Sequence, residues 1–357
     1  MRLRYSILLL IIALVTALLW RGLMPQPQQK TPERSAHKPE IAGGIRLSFP
    51  LACTLGKSCW IARYSDRAEG TEKTDYSCQH RTQDNHRGTD FAIADLGQMR
   101  TGVSVLAAAS GTVKGVRSNE PDISIKARGK DAIEGKECGN GLLIEHTDGW
   151  TTQYCHLKQN SPTVKPGDSV KAGQIIGAVG LSGQTEYPHM HFAVRKNGTR
   201  IDPFDGQPLT SACNAAKPTP LWAEPIAYSP FALVSVTLST APPTAKTRWD
   251  APAKTLSHKA PALVVTGRVF GSQKGDEWQL VIRKPDGSVF SRQKVAIKND
   301  RQFWLQYNGR KKPATGFAPG VWPGVWPGVW TGEVTISRSI KDSTPIIKKL
   351  TTSIVMK

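Results

Sequence analysis

Five residues in three short stretches have the types and spacing for metal-assisted hydrolysis. They are His86 and Asp90 in HRGTD (86–90), His156 in QYCHL (153–157), and His189 and His191 in PHMH (188–191). A catalytic zinc takes three protein ligands and keeps a fourth position open. Four imidazoles and one carboxylate supply that set and leave two groups for proton transfer. His189 and His191 are two apart, so on a strand both side chains point to one face. His86 and Asp90 are four apart across Gly88, which suits a strand leading into a turn. A lone histidine on a strand is more often structural, and His37, His80, His146 and His258 fit no ligand spacing.

Three separated stretches can meet only on a scaffold that brings distant strands together. From Ile45 the chain reads as short β-like runs broken by Gly and Asn/Asp turns. Candidate strands are 103–107, 111–117, 141–146, 151–157, 174–179 and 190–195, with turns at 147–150, 165–168 and 196–198. Helical periodicity is weak throughout, so the expected fold is mainly β, a Gly-rich antiparallel sheet. The charged segment 119–137 interrupts the pattern and reads as a surface insertion, either along a cleft rim or as a loop with no role. Past 214–220 (NAAKPTP), alternation returns in seven runs between 232 and 355, which suggests a C-terminal immunoglobulin-like β-sandwich. The tandem GVWPGVWPGVW (320–330) is too short for a solenoid; it reads as a Trp-bearing binding loop or a neutral expansion of a strand-connecting turn, and the turn is favoured because Pro-Gly steps make compact turns by themselves.

The N-terminus bears on compartment. Arg2 and Arg4 precede an apolar run from Ile7 to Trp20, a charged region followed by a hydrophobic one. Residues 1–24 are therefore expected to be a signal peptide or a signal anchor in the inner membrane; Leu18, Leu19, Trp20 and Arg21 crowd the cleavage position and favour the anchor. Residues 25–45 are polar and Pro-containing, a flexible linker. The expected domains are then 46–215 and 216–357. Six cysteines without a CxxC pair fit disulfides in an exported protein, periplasmic or otherwise in the cell envelope. Fifteen pairings are possible. Cys53 and Cys59 flank a short loop, Cys138 and Cys155 lie on two arms of a predicted hairpin, and Cys78 and Cys213 are left over. The net charge of +19 favours an anionic partner, a wall polymer or lipid surface. Without an arginine-rich block, zinc knuckle or aromatic nucleic-acid signature, nucleic acid is not expected.

HRGTD, QYCHL and PHMH, in that order, resemble the HxxxD, HL and HxH motifs of the lysostaphin-type (LytM-type) zinc metallopeptidases. VLAAASGTVKGV (105–116), GNGLLIEH (139–146) and VKPGDSVKAGQIIGAVGLSGQTEYPHMHF (164–192) continue the likeness, which covers roughly 84–200. The resemblance implies a peptidase domain with an open groove, one zinc per chain, and His86, Asp90 and His191 as metal ligands. His156 and His189 would be the catalytic histidines. It also implies a peptidoglycan endopeptidase that hydrolyses stem-peptide cross-links with a metal-activated water. The alternative is a catalytically silent LytM-type domain that binds and regulates another wall hydrolase. Loss of ligand residues usually marks that class, and all five residues are present here.

Overall fold

The computed structural model describes residues 44–213, 218–312 and 328–356. The expected signal segment, the linker before Gly44 and most of the GVWP repeat lie outside the described residues. Among those described, no helix is long and apolar enough to cross a membrane.

The first half contains β1 (Trp60–Arg63), β2 (Thr89–Ala92), β3 (Ser104–Leu106), β4 (Gly111–Arg117), β5 (Asn140–Glu145), β6 (Trp150–Leu157), β7 (Ser169–Val170), β8 (Ile175–Ala178), β9 (His189–Lys196) and β10 (Thr199–Ile201). Eight of these form one antiparallel sheet in the order β1-β2-β9-β6-β5-β4-β7, with β10 also paired to β9; β3 and β8 make a separate pair. Among the described residues helix is confined to short pieces, α1 (Leu96–Thr101) and α2 (Ile125–Arg128), and two turns of 3₁₀ type. The alternation of β9 shows why this sequence makes a sheet. Met190, Phe192 and Val194 enter the core with Phe91, Tyr154 and Trp222, while His189, His191, Ala193 and Arg195 take the other face.

Strands β1, β2, β7 and β10 were not anticipated. They are four residues or shorter and lack alternation, so their pairing comes from the sheet rather than from local pattern. HRGTD also differs from the expected strand-then-turn: His86 sits in a loop that runs into β2, where Asp90 lies.

The second half holds β11 (Ala232–Ser239), β12 (Thr255–Leu256), β13 (Ala262–Ser272), β14 (Glu277–Arg283), β15 (Val289–Ala296), β16 (Arg301–Lys311), β17 (Val329–Ile340) and β18 (Ser343–Met356). They form a three-stranded sheet, β11-β13-β16, and a five-stranded sheet, β12-β18-β17-β14-β15. Both contribute to one core around Phe231, Val265, Trp278, Leu280, Val334 and Ile336.

The two halves are packed together rather than strung on a tether. Trp60, Ala62, Ala92 and Tyr187 meet Ala232, Val234, Trp249 and Phe270 in a shared apolar cluster. The fully buried Arg81 crosses the same boundary, donating to the carbonyls of Ile61, Ala62 and Ser229. Its side chain lies where a Cβ on Gly271 would be, 2.1 Å away, so that position has room for glycine alone. Gly271 is held from behind by Arg338, whose guanidinium donates to the Gly271 carbonyl at 2.6 Å and grips Asp276 at 2.7 Å through both carboxylate oxygens.

Three disulfides, Cys53–Cys59, Cys78–Cys213 and Cys138–Cys155, account for every cysteine. Cys138 and Cys155 flank the β5–β6 hairpin as the sequence suggests, and Cys78–Cys213 closes a separation of 135 residues.

Removing one member of a buried ion pair strands the other charge, at a cost of about 3–5 kcal/mol. Arg338→Met should lower unfolding free energy by that amount in denaturant titration, and Arg338→Met with Asp276→Leu should recover much of the loss.

Candidate active site

Asp90 and His191 are opposite each other in the β2–β9 register, and His189 is opposite Ala92. His86 reaches the same point from its loop. The carboxylate oxygen Asp90 Oδ1 lies 3.0 Å from His86 Nε2, 2.9 Å from His191 Nδ1 and 3.4 Å from His189 Nε2. Gly88 makes this convergence possible, since a Cβ there would sit 2.6 Å from His191 Nε2. Donor atoms of His86, Asp90 and His191 all fall within 4.8 Å of one another, a group able to hold a metal ion.

The imidazole tautomers fit that use. His86 Nδ1 is 2.7 Å from the Tyr64 carbonyl, which can only accept, so Nδ1 carries the proton and Nε2 presents a lone pair. A lone pair facing a carboxylate oxygen at 3.0 Å is unfavourable alone and favourable across a cation. The set, two imidazoles and one carboxylate, suits zinc. Asp90 is almost fully buried. Burial opposes its ionisation, but the surrounding imidazoles of His86, His189 and His191 hold its carboxyl well below the usual range.

His156 joins the site through a bulge. Cys155 is opposite His191, so in a regular strand the next side chain would point into the core. Between the pairs Asn140↔Leu157 and Leu142↔Tyr154, β6 uses one residue more than β5, and His156 adopts φ 62°. Such bulges re-aim side chains. This one brings the His156 ring to 4.7 Å from His189 and 6.0 Å from His191. His156 Nδ1 bonds the Ser182 carbonyl at 2.8 Å, and His189 Nδ1 bonds the Tyr187 carbonyl at 2.9 Å. The Nδ1 of each ring therefore carries a proton, which leaves Nε2 as the free nitrogen of the neutral ring. Burial, reinforced by His189 and His191, pushes His156 well below the ordinary histidine range, so it is neutral at pH 7.

Loop 181–188 aims these histidines, and the 119–137 insertion holds the loop. Ile125 N–H donates to Thr185 O at 2.9 Å, and Gln184 N–H donates to Glu137 O at 2.8 Å. Asn140 ties the insertion to the end of β6: its amide donates to Glu120 O at 2.7 Å and Leu157 O at 3.1 Å. Glu120 in turn accepts from Arg128 at 2.7 Å. The insertion is thus an ordered rim element. Ser182 and Thr185, two polar residues of a turn in sequence terms, are buried and orient His156 and His189. His146 belongs elsewhere, bonded to Ser110 O and Thr152 Oγ1.

Sequence patterns did not reveal Arg63, Tyr187 and Trp249. Arg63 Nη1 and the Tyr187 hydroxyl each lie 3.5 Å from Asp90 Oδ2, the oxygen turned away from the histidines. Tyr187 stacks on His189 at 4.6 Å and on Trp249, from the C-terminal half, at 5.2 Å. An aromatic residue just before PHMH was the one available signal. Nothing near Arg63 or Trp249 suggests a site.

The sequence signature of Peptidase family M23 matches residues 84–203, the stretch that carries all five residues. This segment of the chain belongs to peptidase family M23. Within it the chain is similar to cell division protein DipM of Caulobacter vibrioides, 34% identical over 110 residues, covering 30% of this chain and 16% of that protein. It is also similar to peptidoglycan DD-endopeptidase ShyC of Vibrio cholerae, 30% identical over 118 residues, covering 33% of this chain and 22% of that protein. The chain thus spans less than a quarter of either relative's length. Among solved structures, the catalytic domain of lysostaphin from Staphylococcus simulans aligns at 27% identity with a TM-score of 0.26, covering 40% of this chain and 85% of that one.

Groups that orient metal ligands typically contribute 10–100-fold to affinity. Tyr187→Phe keeps the ring stack of this M23 site and loses the hydroxyl beside Asp90. It should weaken zinc binding about tenfold, read by competition with a chromophoric chelator, and leave the thermal midpoint nearly unchanged.

Proposed function

We propose that the chain is a zinc-dependent endopeptidase that hydrolyses peptide cross-links of bacterial peptidoglycan. The observation that carries this reading is the convergence of His86, Asp90 and His191 with two further histidines whose Nδ1 atoms are held on carbonyls, which leaves their Nε2 atoms for proton transfer. A lone structural metal would not need the additional pair.

In this reading His86, Asp90 and His191 hold one zinc. When bound, zinc polarises the scissile carbonyl and lowers the pKa of water from 15.7 towards about 7. Two neutral imidazoles and one carboxylate leave it a net positive charge. His156 and His189 handle protons at Nε2: one takes a proton from the attacking water and becomes an imidazolium, and the leaving amine then takes that proton from the pair. Their Nδ1 atoms, fixed on the Ser182 and Tyr187 carbonyls, keep both rings in the tautomer this requires. Arg63 and Tyr187 hold Asp90 Oδ2, leaving Oδ1 for the metal.

Export to the periplasm or cell envelope follows from the N-terminal segment and is supported by three disulfides. Anchoring in the inner membrane is part of the same proposal. We take 46–215 as the peptidase domain and 216–357 as an immunoglobulin-like sandwich, a type supported by two sheets on one core.

The full chain should solubilise purified peptidoglycan, lose that activity to a chelator and regain it with zinc; mass spectrometry of the fragments names the bond. His86→Ala and His191→Ala should lose metal and turnover together. His156→Ala and His189→Ala should keep zinc while turnover falls by about 10²–10⁴. Chelator-insensitive cleavage, or no cleavage by zinc-loaded protein, would replace this reading with the regulatory one.

A further inference from the structure

The face of the sheet that bears His191 continues along β9 to a pair of arginines. Arg195 lies four residues beyond His191 on the same face, and Arg200 of β10 is directly opposite Arg195 in the register. Like charges directly opposite across two strands destabilise a sheet. Both side chains are half-buried, and Arg200 Nε is buried without a hydrogen-bond partner. Arg195 has a neutral partner only, Gln153 Oε1 at 2.9 Å. Arg87, next to His86, adds a third positive charge near Arg200, and its Nε is held by Asn85 Oδ1 at 2.7 Å. Among the described residues no carboxylate makes an ion pair with Arg195 or Arg200; burial lowers the pKa of both, and the neighbouring charges of Arg195 and Arg87 lower that of Arg200 further. Elsewhere the chain does pair its half-buried arginines, as Arg128 with Glu120 and Arg283 with Glu333.

The surroundings fit a polypeptide. Gln153 also lines a shallow groove of about 240 Å³ over β4, β5 and β6, with Gly115, Arg117, Gly141 and Leu143. The arginine pair and this groove thus meet at Gln153 on one continuous face.

We propose that Arg195 and Arg200, with Arg87 beside them, form a subsite that binds a free carboxylate of an acidic peptide substrate. It rests on the peptidase reading above and adds a specificity determinant to it. Two guanidinium forks across a strand pair can each give a carboxylate paired N–H donors, and the incoming anion removes the repulsion that the empty sheet carries. Four strand residues span ~13 Å. An extended substrate would therefore place its carboxylate roughly three to four residues from the bond being cut.

The test compares purified peptidoglycan with the same material amidated at its carboxylates by carbodiimide and methylamine. Each charge-assisted contact is expected to contribute about tenfold or more. On native walls, Arg195→Gln with Arg200→Gln should lower kcat/KM by ~100-fold, mainly through KM, with zinc content unchanged. On amidated walls the variant and the parent protein should perform alike. Arg195→Lys with Arg200→Lys should recover part of the loss, and Lys294→Gln with Lys298→Gln, two exposed lysines of the C-terminal half, should change nothing. Relief of repulsion should leave Tm equal or higher in the glutamine variant. Equal loss on both wall preparations, equal digestion of both by the parent protein, or a fallen Tm would overturn the subsite. Co-sedimentation with the two preparations separates this from the hydrolytic reading. If zinc-loaded parent cleaves neither but binds native walls better than the glutamine variant does, only the hydrolytic reading fails. If binding is also unaffected by variant and amidation, the subsite fails too.

Discussion

A carboxylate taken out of water must be compensated on every side, and Asp90 is the group for which this chain does so. One oxygen is ringed by three imidazoles and the other by a guanidinium and a phenol. An uncompensated buried anion would cost several kcal/mol, so each of those partners must be delivered to within a fraction of an ångström. The requirement explains the sheet order. Placing β9 between β2 and β6 brings His189 and His191 beside Asp90 on one side and His156 on the other. Edge strand β1 then supplies Arg63 and, just past its end, the Tyr64 carbonyl that sets the tautomer of His86. Because a slip of one residue would turn every side chain to the opposite face, the register of these strands and the competence of the site are the same constraint.

The compensation extends into the C-terminal half. Tyr187 can hold its hydroxyl beside Asp90 only if its ring is fixed, and that ring lies between His189 and Trp249. Trp249 rests in turn on Phe270 and Phe303. Arg268 secures the same corner by donating to the carbonyls of Ala94 and Arg248 at 3.1 Å. Aromatic packing of this kind is stiff because the rings have few torsions to lose. The C-terminal sheets are therefore part of the wall that supports the metal group, and their effect on the site needs no ligand of their own.

What could be read from the sequence was what local pattern encodes. The five residues that the fold brings together, the central strands β4, β5, β6 and β9, and the Cys138–Cys155 hairpin all follow from short motifs, alternation and turn residues. Long-range packing is written differently. Trp249 is 62 residues from Tyr187, and the residues between carry no pattern joining them. The bulge at His156 is likewise invisible in QYCHL, because it arises from a mismatch in length between β6 and β5. Ser182 was legible as a turn residue, but its decisive atom is its backbone oxygen, which every residue has. The short edge strands escaped notice because their partners, rather than their composition, make them strands.

The net charge of +19 and the arginine pair on β9 and β10 act over different ranges. Most of the described lysines and arginines are solvated, and at physiological salt their field decays over about 8 Å. They draw the protein to any polyanion without distinguishing its parts. Arg195 and Arg200 are half-buried, opposed across a strand pair and unpaired with any described carboxylate, so water screens them poorly. Their repulsion raises the energy of the ligand-free sheet, and an anion placed between them lowers it again. Binding energy stored this way is released only when a carboxylate lies at one position along the strand. Surface charge can hold the protein against its substrate, but this local strain can set the register in which the substrate meets the metal.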